Sequence, residues 1–132
     1  MLRRRAAPSP PTSRRSIVVF ALGERRFAVP ATRVLDVANV TAYTPLPCED
    51  PTNLGVVLHR ERLTPLVDLA PRLGVGRTCP LESPGLCLFV RTGRGEMGVP
   101  IDRVTGVAPV AGERLPEGVT LLDPDGWGGS HA

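Results

Sequence analysis

Leu54-Gly55-Val56-Val57-Leu58-His59-Arg60-Glu61-Arg62-Leu63-Thr64-Pro65-Leu66-Val67-Asp68-Leu69 is the stretch on which the fold turns. Two short apolar runs flank a charged tetrad, and the second run closes on an acid between leucines. The pattern predicts a β-hairpin that buries Val56, Leu58, Leu63 and Val67 and holds residues 59–62 in solvent at its tip.

Outward from the hairpin, the same signals repeat. Ile17-Val18-Val19-Phe20-Ala21-Leu22 reads as a buried strand, and Gly23-Glu24 turns it back into Arg26-Phe27-Ala28-Val29. Pro30 sits at a favoured first helical position, so residues 30–37 are expected to open with a helical turn that sets Val34 and Val37 on one face. Tyr43-Thr44-Pro45-Leu46-Pro47 is extended, because each proline forces its predecessor out of the helical region. Leu86-Cys87-Leu88-Phe89-Val90 is another buried strand, turned at Gly93-Arg94-Gly95-Glu96 into Met97-Gly98-Val99-Pro100. Ile101-Asp102-Arg103-Val104 is a second candidate helical turn, and Val119-Thr120-Leu121-Leu122-Asp123 is a last strand. Everything after Pro124 is glycine-rich and expected to fray.

Seven to nine short strands bounded by turn residues indicate an all-β barrel or sandwich. Fifteen prolines and fourteen glycines in 132 residues argue in the same direction, against long helices. The two halves also rhyme. Phe27-Ala28-Val29-Pro30 precedes Arg33-Val34, and Gly98-Val99-Pro100-Ile101 precedes Arg103-Val104, which hints at two similar small barrels.

Net charge is +3, but its distribution matters more than its sum. Residues 1–15 hold five arginines and no acid; the remaining eleven arginines face thirteen acids, a balance of −2. The basic character belongs to the tail, and the folded part lacks the basic surface with interleaved aromatics expected of a nucleic-acid reader. Residues 1–15 are Arg-, Pro- and Ser-rich and are expected to be a disordered tail. Arg14-Arg15 before an apolar run imitates an export signal. That run is six residues long before Gly23, whereas a signal peptide needs about 7–15 and a small-residue cleavage site. A cytoplasmic protein is expected.

Catalytic chemistry finds little footing. Cys48, Cys79 and Cys87 are odd in number and lack C-x-x-C spacing, so neither a disulfide framework nor a zinc site follows. His59 reads as an exposed turn residue, and the other histidine, His131, lies in the C-terminal tail. Asp68 and Asp102 each end an apolar segment, where a carboxylate caps a turn or holds a loop amide. Gly93-x-Gly95 lacks the third glycine of a phosphate loop. No catalytic residue, metal ligand or cofactor is expected.

The order of these segments over residues 17–107 resembles the CheW-like family of chemotaxis coupling proteins. An apolar strand with a Gly-acid turn, then Val34-Leu35-Asp36-Val37, then Thr44-Pro45-Leu46-Pro47 leading to Leu54-Gly55, then the arginine-centred hairpin closing on Val67-Asp68-Leu69, and last Met97-Gly98-Val99-Pro100-Ile101-Asp102-Arg103-Val104 are similar to that family's elements. Glu61 departs from the glycine that usually follows the family's hairpin arginine and adopts positive φ cheaply, so the turn must take another geometry or carry strain of about 1 kcal/mol or more. The link between Val107 and Leu121 is also shorter than the family's.

The resemblance implies two small SH3-like five-stranded β-barrel subdomains over residues 16–123, with the second a candidate for being incomplete and residues 124–132 frayed. It implies an adaptor with no active site, coupling the cytoplasmic tip of a chemoreceptor to a CheA-type histidine kinase, without nucleic acid or membrane insertion. Carried over by position, Val34, Asp36, Val37 and Arg60 are the partner-binding candidates, with Arg60 expected to pair with Asp36. The competing expectations are a degenerate relative that binds receptor but not kinase, acting as a decoy or insulator, and, remotely, a small hydrolase or metal protein. Metal analysis would separate the last.

Overall fold

In a computed structural model of the chain, residues 14–46, 52–75, 84–111 and 115–126 are described. Ten strands follow one another: β1 (Arg14–Leu22), β2 (Arg25–Pro30), β3 (Val34–Val40), β4 (Thr44–Pro45), β5 (Asn53–His59), β6 (Arg62–Val67), β7 (Gly85–Thr92), β8 (Gly95–Pro100), β9 (Arg103–Ala111) and β10 (Val119–Leu121). One four-residue helix, α1 (Ala70–Leu73), lies between β6 and β7. Its sequence signals are Pro71 in the first turn and Gly74, left-handed at φ 71°, ending it.

The strands form two sheets, β10-β2-β1-β9 and β3-β7-β8-β6-β5-β4. The fold is therefore all-β with two sheets, as expected, though the strands divide four and six. The sheets are not the first and second halves of the chain. Hairpin β1–β2 sends its next strand, β3, to pair with β7 in the larger sheet, and hairpin β7–β8 sends β9 back to pair with β1. This reciprocal exchange is what the sequence rhyme encodes. Pro30 and Pro100 each close a hairpin, at register with Ile17 and Cys87, and the chain then leaves its sheet. Neither following segment is an α-helix: Ala31–Arg33 is a single 3-10 turn, and Arg103 already belongs to β9. The short link after β9 leads to β10, which pairs with β2 at the edge of the four-stranded sheet, a sheet built from early and late strands of the sequence.

Three apolar clusters explain why several strands are continuous apolar runs. Ile17 and Val19 pack with Ala28, Val110 and Val119 on one side of β1. Val18, Phe20 and Leu22 pack on the other side with Phe27, Val29, Leu88, Val90, Val99 and Ile101, a cluster drawn from both sheets. Cys87 and Phe89 turn the opposite way into Val40, Leu54, Val57 and Leu66. A strand buried on both faces loses its polar alternation. Asp102 and Asp68 are the turn-holding acids expected. Asp102 Oδ2 accepts the Gly23 amide at 2.7 Å, tying the β1–β2 turn to the start of β9. Asp68 Oδ1 accepts the Ala70 amide at 3.1 Å and so starts α1.

The termini differ from expectation at both ends. β1 takes in Arg14 and Arg15, which the composition assigns to the tail; residues 1–13 lie outside the described residues, as do Cys48 and Cys79. Pro124–Gly126 is an anchored 3-10 turn and not frayed, because Asp125 holds it. Its carboxylate accepts a bidentate pair from Arg33 at 2.8 and 2.9 Å and the Gly93 amide at 2.7 Å. Residues 127–132 are outside the description.

Candidate functional site

The opening hairpin exists, but its faces are the reverse of the expected ones. Leu58 and Leu63 form a cross-strand pair that is 67% and 73% exposed, while Leu54, Val57 and Leu66 are buried. Val67 is buried as expected, and Val56 is only partly so. The register slips by one residue between Asn53 and Gly55, with Leu54 as the extra residue opposite β6. Side chains alternate strictly, so one extra residue exchanges the two faces. Gly55 is at φ 151°, and a Cβ there would strike the backbone of Thr44 and Pro45, so β4 can cross it only because it has no side chain. Leu46, Val56, Pro65 and Met97 then line a recess of about 420 Å3 that Asn53, Arg94 and Glu96 also border.

The slip carries His59 inward. Its side chain is 11% exposed, and the ring stacks on Phe89 with centroids 3.8 Å apart and planes 3° from parallel. This overturns the expectation of a solvent-exposed turn histidine. His59 Nε2 lies 2.9 Å from Asp36 Oδ2 and Nδ1 is buried without a partner, so Nε2 carries the proton and donates to the carboxylate. A cavity of about 200 Å3 beside the ring is lined by Ala38, Val40, Val57 and Phe89.

Asp36 reaches this place because β3 bulges between Val34 and Asp36, with Leu35 as the extra residue opposite β7. Asp36 Oδ1 accepts the Val37 amide at 2.8 Å. Arg60 Nη2 stands 3.4 Å from Asp36 Oδ2, with its side chain 69% exposed. The hydrogen bond from His59 is the main cause holding the Asp36 carboxyl below the usual aspartate range; the Val37 amide and the Arg60 charge add to it against partial desolvation. At the tip, Arg60 (φ 53°) and Glu61 (φ 67°) are both left-handed without being glycine. Of the two outcomes open to the turn, it carries the strain.

The four partner candidates are thus placed unequally. Asp36 and Arg60 meet, Val37 lies beside them at 38% exposure, and Val34 packs against the cluster shared by the two sheets. Because β3 is a strand and not a helical turn, Val34 and Val37 are not neighbours on one helical face. Sequence reasoning missed His59. The signal available was its even spacing from Val57, a buried position, but the expected register pointed it outward. Among the described residues no group of three His, Cys, Asp or Glu side chains could hold a metal, and no helix is long and apolar enough to cross a membrane.

Two β-sheets that exchange strands around a common core, joined by a polar cluster of Asp36, His59 and Arg60 between the edge strand β3 and the hairpin tip, define the class of fold. The chain belongs to the CheW family: a family model described as the CheW-like domain matches residues 16–125. It is 27% identical over 99 residues to the "Probable chemotaxis protein CheW" of Rhizobium etli, covering 75% of this chain and 63% of that protein. It is 37% identical over 95 residues to "Protein FrzA" of Myxococcus xanthus, covering 70% of this chain and 58% of that one. The chain thus spans about three fifths of the length of these two relatives. Among solved structures it is similar to the scaffolding protein TtCheW from Thermoanaerobacter tengcongensis, with a TM-score of 0.65 and 25% identity, covering 74% of this chain and 66% of that one. The two sheets match that fold's two SH3-like subdomains.

Proposed function

We propose that this chain is a cytoplasmic chemotaxis adaptor that couples the cytoplasmic tip of a chemoreceptor to a CheA-type histidine kinase by noncovalent contacts, making and breaking no bond. The observation that carries this reading is the cluster of Asp36, His59 and Arg60, a polar latch in which Asp36 and Arg60 stand where the family resemblance puts partner contacts. Membership of the CheW-like family and the name of the TtCheW structure, a scaffolding protein, support it. In physical terms the work is positional. The shared apolar cluster holds the two sheets in one relation, and the latch holds the hairpin tip against β3. Asp36, Val37 and Arg60 then offer a mixed apolar and charged contact on a preorganised surface, which lowers the ordering cost of docking. Val34 contributes from below, through the core that supports β3.

Arg60→Glu tests the reading. It should weaken pulldown of a receptor tip and of the kinase while leaving the melting temperature nearly unchanged, because a surface ion pair contributes only about 0–1 kcal/mol. Unaltered binding to both would refute it. The short connection between Ala111 and Val119 favours one further reading, a receptor-binding insulator that does not recruit the kinase. Co-sedimentation with receptor alone and with kinase alone separates the two, and equal binding to both removes the insulator.

A further inference from the structure

We propose that His59, and not Arg60, holds Asp36 in place in this chain, leaving the Arg60 guanidinium as the cation of the hairpin tip that meets a carboxylate on the docked partner. Two donors point at the same oxygen, and they differ in every respect that decides which one fixes it. His59 Nε2 is 2.9 Å from Asp36 Oδ2, the length of a charge-assisted hydrogen bond. Arg60 Nη2 is 3.4 Å away, beyond the usual hydrogen-bond range. The His59 ring is nearly enclosed and stacked on Phe89, so its donor has one direction; the Arg60 side chain is mostly in water. The other carboxylate oxygen is already met by the Val37 amide. Asp36 is therefore oriented by a fixed ring and a backbone N–H with no need of the arginine.

The unpartnered Nδ1 points the same way. Leaving a buried nitrogen unpaired costs free energy, and in an apolar setting of Val57, Val40 and Phe89 a leucine would pack without that loss. The one thing the imidazole supplies that an aliphatic side chain cannot is the bond to Asp36. Arg60 is correspondingly underused. Among the described residues its guanidinium makes no hydrogen bond, and its five N–H groups form a planar fork suited to a carboxylate. The tip's other arginine, Arg62, already has Glu96 within 4.0 Å. The left-handed backbone at Arg60 and Glu61 fixes where the fork emerges.

The inference about His59 stands on geometry alone, while the partner's carboxylate rests on the docking function proposed above, so the test has two arms. In the first, the Asp36 carboxyl is titrated by NMR in the full chain. His59→Leu should move its midpoint up toward the ordinary aspartate range, and His59→Gln, which keeps an N–H donor, should restore part of the depression. Arg60→Ala should move it less than His59→Leu does. A larger rise for Arg60→Ala overturns the assignment. In the second arm, a soluble fragment carrying a chemoreceptor's signalling tip is bound at several salt concentrations. Arg60→Gln should weaken binding about tenfold, as loss of a hot-spot arginine does, and flatten its salt dependence. Unchanged affinity and salt slope overturn the carboxylate contact. If the wild-type chain does not bind the fragment, the docking function and the carboxylate contact fall together, and the titration still decides the role of His59.

Discussion

Replacing Leu58 and Leu63 together by threonine tests the slipped register at its most sensitive point. In the structure these leucines are 67% and 73% exposed, so only about a third and a quarter of each side chain leaves water on folding. Full burial of a leucine stabilises by about 1.5–3 kcal/mol, which leaves roughly 0.5–1 kcal/mol at stake for each. Threonine suits a strand and returns part of that, so the double variant should lose on the order of 1 kcal/mol. Leu66, three residues from Leu63 on the same strand, is fully buried between Val57 and Phe89. Leu66→Ala should cost about 2–5 kcal/mol, through lost transfer energy and the cavity left behind. Urea unfolding of the three proteins, compared at equal slope, reads the difference as a shift in midpoint. If the double threonine variant is as unstable as Leu66→Ala, the outer face is core, the bulge at Leu54 is wrong, and the inward position of His59 fails with it.

Two other outcomes follow from the same hairpin and from the acids that brace the fold. Glu61→Gly should raise the melting temperature by roughly 2–4 °C. It relieves a left-handed glutamate worth about 1–2 kcal/mol, less the added freedom of glycine in the unfolded chain; a lower melting temperature would mean the turn is not strained. Asp36 and Asp125 both have carboxyls held below the usual range, by His59 and by Arg33. Their contribution is present above the unfolded value near 4 and is lost as pH falls through the lower folded values. Asp36→Asn and Asp125→Asn should each make stability less steep in that acid window, and a wild-type slope in either variant would show that its carboxylate is not linked to folding.

How much of this was legible depended on whether the signal was local. The turns at Gly23 and Gly93, and the prolines at positions 30 and 100, announce two hairpins that each hand the chain onward, and the structure has both. Pairing between distant strands leaves no local mark, so the division into sheets of four and six, with β9 and β10 returning to β1 and β2, could not be read from spacing. The hairpin misled for a different reason. Both of its faces are apolar, Leu54, Val57 and Leu66 inside and Val56, Leu58 and Leu63 outside, so alternation alone fits either register. The deciding feature is the slip between Asn53 and Gly55, next to the place where Thr44 and Pro45 cross a residue with no side chain. His59 was misjudged as a consequence of that slip. The proximity of Asp36 and Arg60 was expected, whereas the more intimate partner of Asp36 was not.

The exchange of β3 and β9 between the two sheets has a consequence for how the chain becomes a protein. All six strands of the larger sheet lie between residues 34 and 100, so it can assemble while the polypeptide is still emerging from the ribosome. Hairpin β1–β2 is made first and finished last. It waits with both flanks open until β9 and β10 arrive, and its pairing with β9 closes a loop of most of the chain's length. A messenger cut short just after Pro100 would yield one sheet nearly complete beside a bare apolar ribbon, the kind of edge on which other chains collect.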